Sequence, residues 1–201
     1  QKCLSALHHY ESDLVIASEG SFGAHPSVFF LPANEEHLML LDLKNNLEII
    51  ATELSTSTNF NGAYIYTEQE LIEFLLTIQF PSHGIILKSD KTNFAKCYKG
   101  VTNETDLIIK FNEILNLFGK VFVETDMRAC YNPTRMRVIE QTTHKLVAKI
   151  NNKCPQCATP GFETAEVNRG LPCNLCNSPT KSALSIKYHC KKCFHTQTDR
   201  K

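Results

Sequence analysis

Three Cys-x-x-Cys pairs fall within forty residues: Cys154 and Cys157 in CPQC, Cys173 and Cys176 in LPCNLC, and Cys190 and Cys193 in YHCKKC. No other feature limits the fold as tightly. A two-residue gap lets both sulfurs of a pair turn onto one tetrahedral ion, and thiolates at about 2.3 Å suit Zn2+, which imposes no geometry of its own. A disulfide scaffold scatters its cysteines, and a thioredoxin-like redox site uses a single pair at a helix start, so regular pairs point to a metal. Iron–sulfur chemistry also takes four cysteines and stays as the alternative. Fifteen residues separate Cys157 from Cys173 and thirteen separate Cys176 from Cys190. A short β-hairpin spans either gap, which predicts a small zinc-ribbon-like module over 151–201. Three pairs is an awkward number. One four-cysteine Zn2+ leaves a pair idle, and two such ions need four pairs. His189 or His195, beside the last pair, can complete a second site, or a fourth pair can lie downstream. One or two Zn2+ are therefore expected on these six cysteines, with the sharing of pairs left open.

The remaining 150 residues suffice for one domain. No apolar run approaches the roughly 18 residues of a membrane span, and no secretory signal opens the chain. Reduced cysteine pairs favour the cytoplasm, and no membrane partner is expected. The chain starts at Gln1 in what reads as mid-helix, so the domain over 1–150 is expected to be truncated at its N-terminus and the Cys-rich module to be incomplete at its C-terminus. Residues 1–150 carry 13 Lys+Arg against 18 Asp+Glu, and residues 151–201 carry 8 against 3. Each ion held by four thiolates adds −2, so one or two metals bring the basic tail from +5 to about +3 or +1. That is too little for nucleic-acid binding by bulk charge.

Along 1–150, short apolar runs alternate with helical patterns. Cys3, Leu4 and Leu7 share a face of an opening helix. DLVIAS reads as a strand delivering the chain into a Gly-containing loop, Ser18–Pro26. HLMLLDL and LEIIATEL read as strands around Lys44-Asn45-Asn46. Thr67-x-x-Glu70 is a capping box, Thr102 or Thr105 caps the next helix, Gly119 ends it, and KVFVET is a strand. Asn132-Pro133 opens a last helix that runs to Asn151. KTNFAKCYKGV is ambiguous. The pattern predicts an α/β domain with a mixed sheet and flanking helices.

In open α/β sheets ligands gather beyond the carboxyl ends of strands, and two segments qualify. The first is Ser18–Pro26. Its glycines permit close backbone approach, Ser18, Ser21 and His25 can bind a ligand, and Glu19 can hold a divalent cation or act as a base. The second is Thr125–Asn132, running into the last helix. A helix start collects anions, and Arg128, Asn132 and Arg135 can clamp a phosphate or carboxylate. Asp126 either joins Glu19 on Mg2+ or pairs with an arginine and staples the loop. Thr58 and Asn59 are a weaker third group, in which a turn or cap role competes. His83 reads as a turn residue.

Three stretches, ASEGSFGAHP at Ala17–Pro26, TDMRACYNPTRM at Thr125–Met136 and CPQC…PGF…RGLPCNLC…PT at Cys154–Thr180, resemble an uncharacterised bacterial family, a domain of unknown function, over nearly the whole chain. Members tend to have His where this chain has Cys130, and to continue to a fourth Cys-x-x-Cys pair. The resemblance implies the architecture and the zinc but no reaction. A fainter likeness, at the level of helix, strand, acidic Gly-rich loop and hairpin, is to nucleoside triphosphate pyrophosphatases, where Glu19 would stand for a Mg2+ carboxylate. Three readings follow. The domain binds a small anionic or nucleotide ligand beside a structural zinc module. It is a metal-dependent nucleotide or phosphoester hydrolase using Glu19 and Asp126. Or the ribbon binds nucleic acid through Lys187, Lys191, Lys192 and Arg200, with Phe194 or Tyr188 stacking.

Overall fold

Apolar residues at every second position build the largest sheet. The computed structural model describes Gln1–Lys201, and contacts divide the chain into two units. Glu19–His37 with Thr52–Thr142 form one, and Gln1–Ser18, Leu38–Ala51 and Thr143–Lys201 form the other. No helix is long and apolar enough to cross a membrane.

In the first of these units β4 (Gly62–Ile65), β5 (Ile85–Lys88), β6 (Cys97–Val101) and β7 (Val121–Thr125) form a sheet in the order β4-β7-β5-β6. Ala63, Ile65, Ile85, Leu87, Val121 and Val123 point one way, to meet helices α2 (Glu68–Thr77) and α3 (Glu104–Phe118). Leu71 and Phe74 of α2, Ile78 beyond it, and Leu107, Phe111 and Ile114 of α3 complete this core. Their three- and four-residue spacing is the helical period. The sheet is not mixed, as the sequence pattern suggested, but antiparallel. β7 pairs antiparallel with both β4 and β5. The strands joined through α2 therefore do run the same way, but β7 is inserted between them and no parallel pair forms.

The helix ends follow side-chain chemistry. Thr67 Oγ1 accepts from the Glu70 amide at 3.2 Å, and Glu70 returns a carboxylate oxygen to the Tyr66 amide at 2.7 Å. Asn103, not Thr102 or Thr105, caps α3, its side-chain oxygen accepting from the Asp106 amide at 2.8 Å. Gly119 closes α3 at a φ of 69°. The stretch from Ser18 was expected as a loop, but β1 runs Leu14–Ala24. Neither Gly20 nor Gly23 has a positive φ. Gly20 answers to packing: a Cβ there would lie 2.4 Å from Arg135 Nη2 and 2.6 Å from Glu36 Oε1. β2 (Pro32–Asp42) and β3 (Leu47–Ser55) follow, in the order β1-β2-β3.

The other unit opens with α1 (Lys2–Tyr10), which buries Cys3 and Leu7 but leaves Leu4 exposed, one step round the helix from Cys3. Leu38, Ile49 and Ala51 pack with Leu146 of α4 (Pro133–Asn151). Beyond α4 lies a three-stranded antiparallel sheet, β8 (Glu163–Arg169), β9 (Ala183–His189) and β10 (Thr196–Arg200), with β9 in the middle. Glu163 stands opposite His189, and Arg169 opposite Ala183. This register fixes where the three cysteine pairs fall.

Phe111→Ala is expected to lower the unfolding free energy by about 3–5 kcal/mol, because the site lies at the centre of a filled core. Urea denaturation measures it. A loss below about 1 kcal/mol would show that α3 does not anchor this sheet.

Candidate metal centre and ligand site

The cysteine turns share one backbone design. In the first, the Cys154 amide donates to the Thr159 carbonyl and the Ala158 amide to the Cys154 carbonyl, both at 2.9 Å. Cys173 with Ser178 and Asn177, and Cys190 with His195 and Phe194, repeat those bonds at the same lengths. The residue after each second cysteine, Ala158, Asn177 or Phe194, takes a φ of 55° to 61°. Such a turn directs both sulfurs of a pair to one side.

The first and third pairs meet. The Sγ atoms of Cys154, Cys157, Cys190 and Cys193 all lie within 4.8 Å of one another. Cys154 to Cys193 and Cys157 to Cys190 are each 3.6 Å. A tetrahedron with Zn–S bonds of about 2.3 Å has edges of roughly 3.8 Å, so four thiolates here fit Zn2+. The pairing follows from register: β8 leaves the first pair, β9 returns to it, and the third pair follows β9 directly. Cys173 and Cys176 sit at the opposite end, six residue steps or about 20 Å along the strands. Phe162 stacks on Tyr188 at 5.7 Å and faces His195 at 6.0 Å, closing the centre from one side. His195 contributes a ring to that stack and its carbonyl to Cys190, and neither His189 nor His195 belongs to the four-ligand group.

The four thiols are not equivalent without an ion. A hydrogen bond with the Thr159 hydroxyl, and then the Thr159 amide, bring Cys157 down to about 6. The His195 amide pulls Cys193 down, but burial and the neighbouring sulfurs outweigh it and push that thiol up to about 12. An ion bound here would have to displace protons from these thiols.

In the four-stranded unit the residues expected to bind an anion are tied to one another. Buried Asp126 accepts from the Gly100 amide at 3.0 Å and from Arg128 through the backbone amide, Nε and Nη2. The Arg128 guanidinium, half-exposed, lies over the Tyr131 ring at 4.5 Å. Arg135 forks onto buried Glu36, Nε to Oε1 at 2.7 Å and Nη2 to Oε2 at 3.3 Å, and donates Nη1 to the Met127 carbonyl. Buried Asn132 caps α4 by accepting from the Arg135 amide at 2.9 Å and donates to Asn59 at 2.8 Å. Asn59 in turn donates to the Ile78 carbonyl. His83, expected as a turn residue, is buried and accepts from the Thr134 amide at the same helix start. Burial lowers its pKa. Two amides that could greet an anion at the start of α4 thus already have partners.

Thr58 Oγ1 accepts from the Phe60 amide, and His25 Nδ1 accepts from the amides of Ser27 and Val28, so both organise turns. Glu19 and Ser21 are exposed on β1. Ser18, also on β1, accepts at its carbonyl from Lys2 Nζ. No group of three metal-ligating side chains forms around Glu19 or Asp126 in this unit, so Mg2+ has no cluster to hold it. Two features escaped the sequence reading. Glu36 sits in NEEH, whose alternation placed Asn34 and Glu36 together on a buried face; Asn34 is buried with neither amide atom bonded. The second is a cleft of about 370 Å³ between the β1–β2 turn and the β4–β7 edge. Phe29, Phe30, Phe60 and Phe122 line it, with Lys91 and Glu124. Phe29 and Phe30 are 83% and 74% exposed. The signal was the run VFF between Pro26 and Pro32, an apolar cluster in a turn.

The chain belongs to the family DUF6671, a domain of unknown function, whose family model matches residues 2–199. No curated protein and no solved structure matches it.

Glu36→Ala leaves the Arg135 charge, 16% exposed, without its carboxylate and is expected to cost about 3 kcal/mol of stability in urea denaturation. A neutral result would mean that water reaches Arg135. For the metal centre, proton displacement makes binding tighten as pH rises. Chelator competition should show the apparent Kd for Zn2+ falling at least about tenfold from pH 6.5 to 7.5. A flat response would argue that these thiols do not hold the ion.

Proposed function

We propose that this chain is a zinc-binding, ligand-recognition protein. One structural Zn2+ on Cys154, Cys157, Cys190 and Cys193 holds a zinc-ribbon-like module, and the four-stranded unit takes a small phosphate-containing ligand with a planar ring. Four cysteines close the metal's coordination and leave no position for substrate, which supports a structural role. The observation that carries the ligand reading is the aromatic cleft. Its volume lies within the range of small-molecule sites, of the order of 300–1,000 Å³. Its phenylalanines offer faces for stacking, worth about 1–3 kcal/mol per base where nucleobases are bound. Lys91 supplies the charge. It makes no ion pair, and its ammonium lies 5.9 Å from the Phe122 ring. Glu124 is neutralised by Lys88 at 2.6 Å and does not repel an anion there.

This reading moves the anion away from Arg128 and Arg135, whose forks already hold carboxylates. It also favours binding over hydrolysis. A metal-dependent phosphoester hydrolase wants two or more carboxylates on its ion, and Asp126 is committed to Arg128 and Gly100.

Calorimetric titration with nucleoside monophosphates and, separately, inorganic phosphate tests the proposal. Binding of at least one nucleotide is expected, weakened at least about tenfold, ~1.4 kcal/mol, by Lys91→Ala and by Phe30→Ala. Absence of binding at millimolar nucleotide, or wild-type affinity in both variants, would overturn it. Equal affinity for inorganic phosphate alone would remove the planar ring from the reading.

A further inference from the structure

We propose that Cys173 and Cys176 form a second site for a thiophilic metal ion, a two-thiolate half-site whose remaining positions are open to donors from outside the sheet. Three observations carry it. First, the turn that holds these cysteines has the same backbone as the two that build the four-thiolate centre. The Cys173 amide meets the Ser178 carbonyl and the Asn177 amide meets the Cys173 carbonyl, each at 2.9 Å, and Asn177 takes a φ of 55°. Second, the residue two places after the second cysteine carries a hydroxyl in both turns. Cys157 Sγ lies 3.2 Å from the Thr159 hydroxyl, and Ser178 holds the same place after Cys176. A polar side chain set beside a coordinating sulfur helps to fix its direction. The match extends to the strand-like bridges flanking each turn, Lys153 with Pro160 and Pro172 with Pro179.

Third, the sulfurs have no packing role. A free cysteine without chemistry is normally a buried small apolar residue. Here Cys176 is exposed, Cys173 is only partly buried, and Leu175 between them is 98% exposed. A tight turn alone requires neither sulfur. The pair also lies too far from the first centre to serve it, since about 20 Å of strand intervenes. Two thiolates balance the charge of one divalent ion, so the half-site forms a neutral unit without further protein ligands. Water or soft exogenous donors then fill the other positions, and the ion there exchanges faster than the enclosed one. The site is separate from the Zn2+ proposed above, and each can fail alone.

Anaerobic titration of the reduced, metal-free chain with Co2+ reads both sites, because sulfur-to-cobalt absorption counts the thiolates. A first equivalent with four-thiolate absorption is expected, followed by a weaker second equivalent with about half that intensity. In the double variant Cys173→Ser, Cys176→Ser the first step should persist and the second vanish. Persistence of the first step also shows that the variant sheet folds. Saturation at one equivalent, or a second step that survives in the double variant, overturns the proposal. Light scattering during the titration identifies the outside donors: a doubled mass at the second step assigns them to a second copy of the chain, and an unchanged mass assigns them to solvent. Both uphold the half-site.

Discussion

Four thiols whose sulfurs lie within 4.8 Å of one another cannot all ionise unless a cation stands among them. That electrostatic fact governs the C-terminal quarter of the chain. The apolar cluster around Cys154 and Cys190 contains only Phe162 as a buried carbon-rich side chain, helped by Tyr188 and Cys193. A core this small does not hold three strands against chain entropy. An ion among the four sulfurs would replace it. It would tie the sequence on either side of β8 and β9 to one point, consistent with the register Glu163 to His189. Metal binding and folding of this sheet would then be one equilibrium.

The four-stranded unit solves a different electrostatic problem internally. Arg135 and Arg128 both approach the start of α4, where the helix dipole already disfavours positive charge. Each is answered by a buried carboxylate, Glu36 for Arg135 and Asp126 for Arg128. The carboxylates occupy the forks in the manner that a bound phosphate would. An arrangement that looks from sequence like an anion clamp is thereby a closed structural knot, linking β2, the segment after β7 and α4. Phe22 under the Arg135 guanidinium at 5.0 Å completes it. The cleft that remains open is lined by neutral rings, Lys91 and Glu124.

Much of this was legible from the residues, and the failures have physical causes. The caps at Thr67 and Asn132 read well because a single side chain acts on amides two or three residues away, whereas at α3 the polar run Thr102–Thr105 offered several candidates and the cap is Asn103. Cys-x-x-Cys spacing is local, and four of the six cysteines it singled out come together. Which pairs meet was not legible, since that depends on strand register between segments some thirty residues apart. The mixed sheet failed for a similar reason: helical crossovers fix the direction of β4 and β5 but not which strand lies between them. SEGSFG misled because glycine has two uses, freedom of φ and closeness of approach. Only the second operates at Gly20, where Arg135 and Glu36 leave no space for a Cβ. The Glu36–Arg135 pair spans 99 positions and leaves no local trace.

The aromatic cleft depends on how its lip is held. Phe29 and Phe30 present most of their surface to water, which costs about 25 cal/mol for each Å² of apolar area that burial would recover. A flexible turn would fold such rings inward. This one is fastened: His25 Nδ1 accepts from the amides of Ser27 and Val28, and the His25 amide donates to the Leu31 carbonyl at 2.8 Å. Pro26 and Pro32 restrict the backbone at both ends. The rings contact each other edge to face at 5.9 Å. A ligand entering between them and Phe60 would thus meet rings already ordered, so little conformational entropy opposes its binding. His25 acts in this scheme through the turn that it braces. Its imidazole nitrogen is engaged with the backbone as a hydrogen-bond acceptor, so any contribution to recognition would come through the fixed position of two phenylalanines.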